Sequence, residues 1–229
     1  MSAIKNMIRS RMKSTVRKLR KTFIFPYRQA TWRRRPLPDF IIIGAMKSGT
    51  TSLFSFLSQH PQLFPSSTKE VHFFDTPNNY SQGQAWYRAH FPLRKKMKAG
   101  SKAFEASPRY IFDPPTPKRI YDLIPKVKII AILRDPVERA ISHYFHETHL
   151  NCEPLSIREA LQEEESRLEQ SIKAGDYVSK EFVHYSYRLR GLYREQLERY
   201  LDFFPRQQIL VLNSEDLFTK PDVCLKQIF

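Results

Sequence analysis

Asp39-Phe40-Ile41-Ile42-Ile43-Gly44-Ala45-Met46-Lys47-Ser48-Gly49-Thr50-Thr51 is the stretch whose reading decides the fold. The apolar run Phe40 to Ile43 reads as a buried strand, a glycine-flanked loop follows, and a helix starts near Thr50. A strand–loop–helix junction gathers unpaired backbone N–H groups at a helix N-terminus, where a phosphate or sulfate is welcome. A phosphate loop of the ATPase kind carries its lysine directly after the second glycine. Here Gly44 and Gly49 keep the glycine spacing, but Thr50 follows the second glycine and the lysine, Lys47, lies inside the loop. That displacement argues against an ordinary ATPase. Ser48, Gly49, Thr50 and Thr51 supply amides and hydroxyls suited to a phosphate that carries a second anionic group.

Beyond the loop, apolar runs and helical patterns alternate. Helix is expected over Thr51–Gln59, Gln84–Phe91, a stretch introduced by Pro114, Pro115 and Pro117, the segment from Asp135-Pro136, Ile157–Lys173 and Phe182–Phe203. Strand is expected over Lys102–Glu105, Val127–Leu133 and Gln208–Leu212. This order predicts an α/β fold, a parallel sheet flanked by helices on both faces. From Asp222 the pattern is helical again and reaches Phe229 without a cap, so a domain cut short there is expected.

With 229 residues, 41% hydrophobic and 17 phenylalanines, the chain can bury a sizeable core. The net charge of +15 suggests a nucleic-acid partner until its distribution is read. Residues 1–38 hold twelve Lys or Arg and no acidic residue, so removing twelve from fifteen leaves +3 on residues 39–229. The reading is a basic leader, 1–38, before a nearly neutral domain, 39–229, with nucleic acid disfavoured. Ile4, Ile8, Met12, Val16 and Leu19 recur at spacings of three and four. The leader therefore reads as a solvated segment or as an amphipathic one touching an anionic membrane. It lacks the apolar core and cleavage site of a secretory signal, and no apolar run reaches about 18 residues, so a cytoplasmic protein is expected. Cys152 and Cys224 stand alone, without metal-like spacing, which fits a reducing compartment.

A second cluster, Leu133-Arg134-Asp135-Pro136-Val137-Glu138-Arg139-Ala140-Ile141-Ser142-His143-Tyr144, follows a buried strand. Arg134 falls at the carboxyl end of that strand, the edge where open α/β sheets bind ligands. Taken alone, such a residue is more often a helix-capping or ion-paired arginine than a ligand. Ser142 lies about two helical turns further on.

The loop Gly44–Thr51 resembles the 5′-phosphosulfate loop of sulfotransferases that use 3′-phosphoadenosine 5′-phosphosulfate (PAPS), and the Leu133–Tyr144 segment resembles their 3′-phosphate motif. Lys69-Glu70-Val71-His72-Phe73-Phe74 and Glu105-Ala106-Ser107-Pro108-Arg109-Tyr110 are similar to segments of the heparan-sulfate-type branch. The resemblance covers residues 39–229 and implies a P-loop-NTPase-like fold and transfer of a sulfuryl group from PAPS to a hydroxyl or amine, with no metal. By the resemblance, Lys47 stabilises the departing phosphate, Ser48 to Thr51 hold the 5′-phosphate, and Arg134 and Ser142 hold the 3′-phosphate. Glu70 is implied as general base, with His72 as competitor. Lys102, Glu105, Ser107 and Tyr110 are candidates for the acceptor cleft, and the acceptor is expected to be a carbohydrate or other small molecule. Two other classes stay open. A P-loop kinase would call for a lysine at position 50 and an acidic residue at the end of the strand Val127–Leu133, where this chain has Thr50 and Arg134. A non-catalytic nucleotide module attached through its basic tail would have no use for an intact Lys47 and Glu70. Oligomeric state is not legible.

Overall fold

The computed structural model describes residues 23–228, so the amphipathic pattern of the leader, within residues 1–22, lies outside the described residues. Five strands form one parallel sheet: β1 Phe40–Gly44, β2 Leu63–Pro65, β3 Lys102–Ala106, β4 Lys128–Leu133 and β5 Ile209–Asn213. Their spatial order is β2-β3-β1-β4-β5. Phe40 stands in register with Phe104 on one side and Lys128 on the other, and Ile129 with Ile209. The chain moves from β1 outward to one side and then to the other. The carboxyl end of β1 is thus the point where strand order reverses and a crevice opens.

Period-two alternation along β1 splits the core into two layers. Ile41 and Ile43 pack with Tyr87, Tyr110, Ile120 and Tyr200 on one face. Phe40 and Ile42 pack on the other with Leu53, Leu57, Leu217 and Cys224. Burial of each such side chain contributes roughly 1.5–3 kcal/mol. Helices Thr50–Ser58 and Ser214–Thr219 cover one face, and Gly83–Arg88, Thr116–Leu123 and Tyr193–Leu201 the other. The expected α/β sheet with helices on both faces is the fold.

Several elements differ from expectation. Leu63–Pro65 is an edge strand of three residues, where a proline costs no ladder bond. The helix expected over Ile157–Lys173 is two, Ile157–Gln162 and Glu164–Ala174. The one expected over Phe182–Phe203 is broken into Lys180–His184, a 3-10 turn Leu189–Gly191 and Tyr193–Leu201. At the second break the buried carboxylate of Glu164 accepts from Arg188 N at 2.6 Å and Leu189 N at 2.8 Å. Those amides are satisfied by a residue 24 positions away, and the helix need not continue through them.

The last part of the leader is attached to the domain. A helix, Phe25–Ala30, and a turn, Trp32–Arg34, precede β1. Arg28 donates to Ala89 O at 2.5 Å and Phe91 O at 3.0 Å, and Arg35 to Phe91 O at 2.6 Å. Among the described residues no helix is long and apolar enough to cross a membrane.

Candidate active site

The loop after β1 is shaped by two glycines. A side chain at Gly44 would put its Cβ 2.4 Å from Ile111 Cγ2 and 2.9 Å from the Pro108 carbonyl. Gly49, at φ 92°, is the residue before the Thr50–Ser58 helix, in the left-handed region that glycine adopts freely. The first backbone bond of that helix runs from Leu53 N to Gly49 O. The amides of the turn before it therefore face the loop without intrahelical partners. Ser48 is buried, its hydroxyl beside that of Tyr193. A cradle of helix-terminal amides, hydroxyls and an ammonium suits an anion.

Facing this loop is the segment Lys69–Asp75, hung on the carboxyl end of β3. Glu70 N donates to Ala106 O at 2.9 Å, His72 N to Ser107 Oγ at 3.2 Å and Phe73 N to the Tyr110 hydroxyl at 2.9 Å. Phe73 and Phe74 are buried, Phe73 stacking on Tyr87 with ring centroids 4.5 Å apart. Lys47, Glu70 and His72 have φ of 67°, 62° and 51°. Among the described residues, Asn151 is the one other non-glycine residue with positive φ. Backbone in this region costs on the order of 1–3 kcal/mol per residue and persists where the surroundings impose it, often at functional sites.

Lys47, Gly49, Thr50, Thr51, Glu70 and His72 line one cleft of about 510 Å³. Lys69 Nζ lies 2.5 Å from one Glu70 oxygen, and His72 Nε2 lies 3.3 Å from the other. His72 Nδ1 sits 2.8 Å from Asp75 Oδ2, which also takes Arg109 Nε at 2.8 Å. The hydrogen bond from His72, then Lys69, hold the Glu70 carboxyl down at about 2. Burial disfavours the His72 imidazolium, but the bonds to Asp75 and Glu70 outweigh it and lift the group to about 9. Near neutral pH the pair therefore carries its shared proton on His72 and leaves Glu70 a carboxylate.

The other predicted residues separate. Arg134 follows β4 at the same sheet edge but pairs with Glu138, Nη2 to Oε2 2.9 Å, on the Pro136–His149 helix. Ser142 is half-buried on that helix, and neither residue lines the cleft. Lys102 lies at the opposite, amino edge of β3, paired with Asp39 at 3.0 Å, and this corrects its assignment to the acceptor cleft. Glu105, Ser107 and Tyr110 do not line the cleft either; they are a buried scaffold beneath it. Glu105 accepts from Tyr87 at 2.6 Å, Ser107 at 2.9 Å and Tyr110 at 3.2 Å, while Ser107 and Tyr110 accept the amides of the strained segment above.

Burial raises the Glu105 carboxyl from the usual 4.5 to about 7, against the three hydroxyls that donate to it. An acid raised this way binds more protons folded than unfolded between those values, so stability falls as pH rises from 4.5 to 7 and is level above. The drop should be on the order of 3 kcal/mol. Glu105→Gln keeps an acceptor for both tyrosines and turns its amide to Ser107 Oγ. Unfolding free energy against pH should then lose that decline; an unchanged difference between pH 5 and 7 would mean Glu105 is ionised throughout.

Sequence reading missed Asp75, Arg109, His146, Glu147, His184 and Arg190. Asp75 stands three residues after His72, and Arg109 is in a quoted motif, so both had a local signal. The rest come from distant segments. His146 and Glu147 share a helix with Ser142, and with His184 and Arg190 they line the far wall. Glu147 accepts from His143 at 3.2 Å and His184 at 2.7 Å. Glu147, Cys152 and His184 bring potential metal-ligating atoms within 4.8 Å of one another, but the Glu147 carboxylate is already committed to two histidines. Arg190, 3% exposed, lies 4.3 Å from the Phe112 ring; burial, then Arg139 and Arg109, bring its guanidinium down to about 9.

A parallel sheet reversing at β1, an anion loop with an internal lysine and an acid–imidazole pair opposite it define an α/β group-transfer domain of the P-loop-like type. Residues 37–229 match the family model described as Sulfotransferase domain. A solved sulfotransferase from Alicyclobacillus acidocaldarius superposes with a TM-score of 0.71 and 35% identity, over 84% of this chain and 79% of that one. Human bifunctional heparan sulfate N-deacetylase/N-sulfotransferase 3 is 34% identical over 199 residues, 84% of this chain and 22% of that protein. Mouse heparan sulfate glucosamine 3-O-sulfotransferase 5 is 31% identical over 194 residues, 81% of this chain and 50% of that protein. The chain belongs to the sulfotransferase family. It spans about a fifth of the first of these curated relatives and half of the second.

Proposed function

We propose that this domain transfers a sulfuryl group from PAPS to a hydroxyl or amine of a carbohydrate acceptor. The observation that carries the reading is the meeting of the Lys47 loop and the Glu70–His72 pair, backed by buried Asp75, in one cleft, with backbone strain at Lys47, Glu70 and His72. The acceptor oxygen or nitrogen attacks sulfur in line, and the bond from sulfur to the bridging phosphate oxygen breaks. The acceptor proton passes to Glu70, and Lys47 meets the charge left on the 5′-phosphate. A cation aimed at charge that appears only as the bond breaks lowers the barrier itself.

Glu70 is favoured over His72 as base because His72 holds its proton to about 9 while Glu70 stays a carboxylate. Asp75 fixes the imidazole by its Nδ1 and turns Nε2 toward Glu70. Arg134, at the same sheet edge, and Ser142, on the helix that follows it, both outside the Lys47 cleft, are proposed to take the 3′-phosphate of the same extended molecule. Arg134 would exchange its exposed Glu138 pair, worth about 0–1 kcal/mol, for that phosphate. One relative is named for N-sulfation and the other for O-sulfation of heparan sulfate, which supports a carbohydrate acceptor and leaves both atom types in play.

Ligand-dependent melting tests the reading. At 100 times Kd a ligand stabilises by about 2.7 kcal/mol, a shift of several degrees. 3′-Phosphoadenosine 5′-phosphate should give such a shift and ATP none; the reverse result makes the protein a kinase, and silence with both removes the nucleotide site.

A further inference from the structure

We propose that the segment before β1, together with the turn after the Gly83–Arg88 helix, forms a surface that docks on an anionic lipid bilayer. Three large apolar side chains on the first described turns face solvent: Phe23 at 68% exposure, Ile24 at 49% and Tyr27 at 59%. They are held out by a firm attachment. Arg28 and Arg35 reach across to the carbonyls of Ala89 and Phe91, and Phe25 packs edge-on against Trp86 with centroids 6.0 Å apart. The backbone that carries the three side chains is thereby fixed to the domain.

Basic residues lie on the neighbouring elements. Arg33 and Arg34 are exposed on the Trp32–Arg34 turn, and the guanidinium groups of Arg33 and Arg88 lie 5.3 and 5.5 Å from the Trp32 ring. Arg94, Lys95 and Lys96 form an exposed basic turn a few residues beyond the carbonyls that Arg28 and Arg35 grip. No acidic residue occurs from position 1 to 38, and residues 1–22 carry eight further Lys or Arg. Aromatic and aliphatic side chains set among basic ones, with no acidic residue in that leader, match a phospholipid interface: rings enter at headgroup depth and cations meet the lipid phosphates. A nucleic acid would use the cations but would leave Phe23 and Ile24 in water. None of these residues lines the cleft, so docking leaves it open.

The test is flotation of the full chain with vesicles of phosphatidylcholine, with and without about one-third phosphatidylserine, at 150 mM salt. Binding should require the anionic lipid. It should fall at least tenfold in Phe23→Ser/Ile24→Ser/Tyr27→Ser and, separately, in Lys95→Glu/Lys96→Glu, each melting as the parent does and, where it transfers sulfate, retaining parental turnover. Absence of binding to the anionic vesicles overturns the proposal. So does binding that the apolar triple variant leaves intact, or a duplex DNA that binds at lower protein concentration than the vesicles.

Discussion

Lys47→Ala should lower kcat for sulfuryl transfer by about 10²–10³-fold with little change in melting temperature. The expectation rests on what the ammonium would meet. A preorganised donor aimed at an oxyanion that appears during the reaction is worth about 3–4 kcal/mol of barrier, far more than the same group gains on a substrate already charged. Lys47 fits that role by position: it sits in the loop and not at the helix start, lining the cleft across from Glu70. Its φ of 67° also means that the residue is held where relaxed backbone would not put it. Alanine at the same φ keeps much of that strain, so the loop should persist and the measured loss should be catalytic. Steady-state kinetics with labelled PAPS decide it. A rise in KM with kcat intact would show that the lysine holds ground-state PAPS only, and the proposed role would fall.

The second large effect is expected at Glu70. Glu70→Gln preserves size and keeps a partner for Lys69 but removes the proton acceptor, so kcat should fall about 10²–10⁴-fold. The substitution also takes away one of the two hydrogen bonds that hold His72 protonated, and the imidazole should titrate below its present value of about 9. Both readouts matter, because the two groups act as a pair. Loss of turnover with a downward shift in the His72 titration, followed by NMR, supports carboxylate as base. If Glu70→Gln kept turnover while His72→Gln abolished it, the imidazole would be the base. In the parent, a carboxyl at about 2 predicts no loss of kcat from Glu70 protonation down to about pH 4.

Much of this molecule is written locally. Residues 39–51 contain their own strand, turn and helix start, and β–α alternation predicts the sheet and its two layers. Lys47, Glu70 and His72 were each legible from motifs and do meet in one cleft. What was not legible is what distant residues decide. The break before Leu189 depends on a carboxylate 25 positions earlier, and the apolar spacing runs across it as though the helix continued. Glu105, Ser107 and Tyr110 lie at or just beyond the end of β3 at the expected edge, yet side-chain direction sends them under the site and not into it. Lys102 fails for a simpler reason: it begins its strand, and in a parallel sheet the beginning lies a full strand length from the cleft.

The Lys47 loop leaves the end of β1, and the Glu70 segment is pinned to the end of β3, the strand beside it in the sheet. Hydrogen-bond pairing of adjacent strands inside the domain therefore holds the segments of the two proposed catalytic groups side by side. This is the layout of a scaffold with exchangeable parts. An exchange of residues 69–76 for the corresponding segment of another family member, seated on the same Ala106, Ser107 and Tyr110 contacts, should therefore leave the Lys47 loop as it stands.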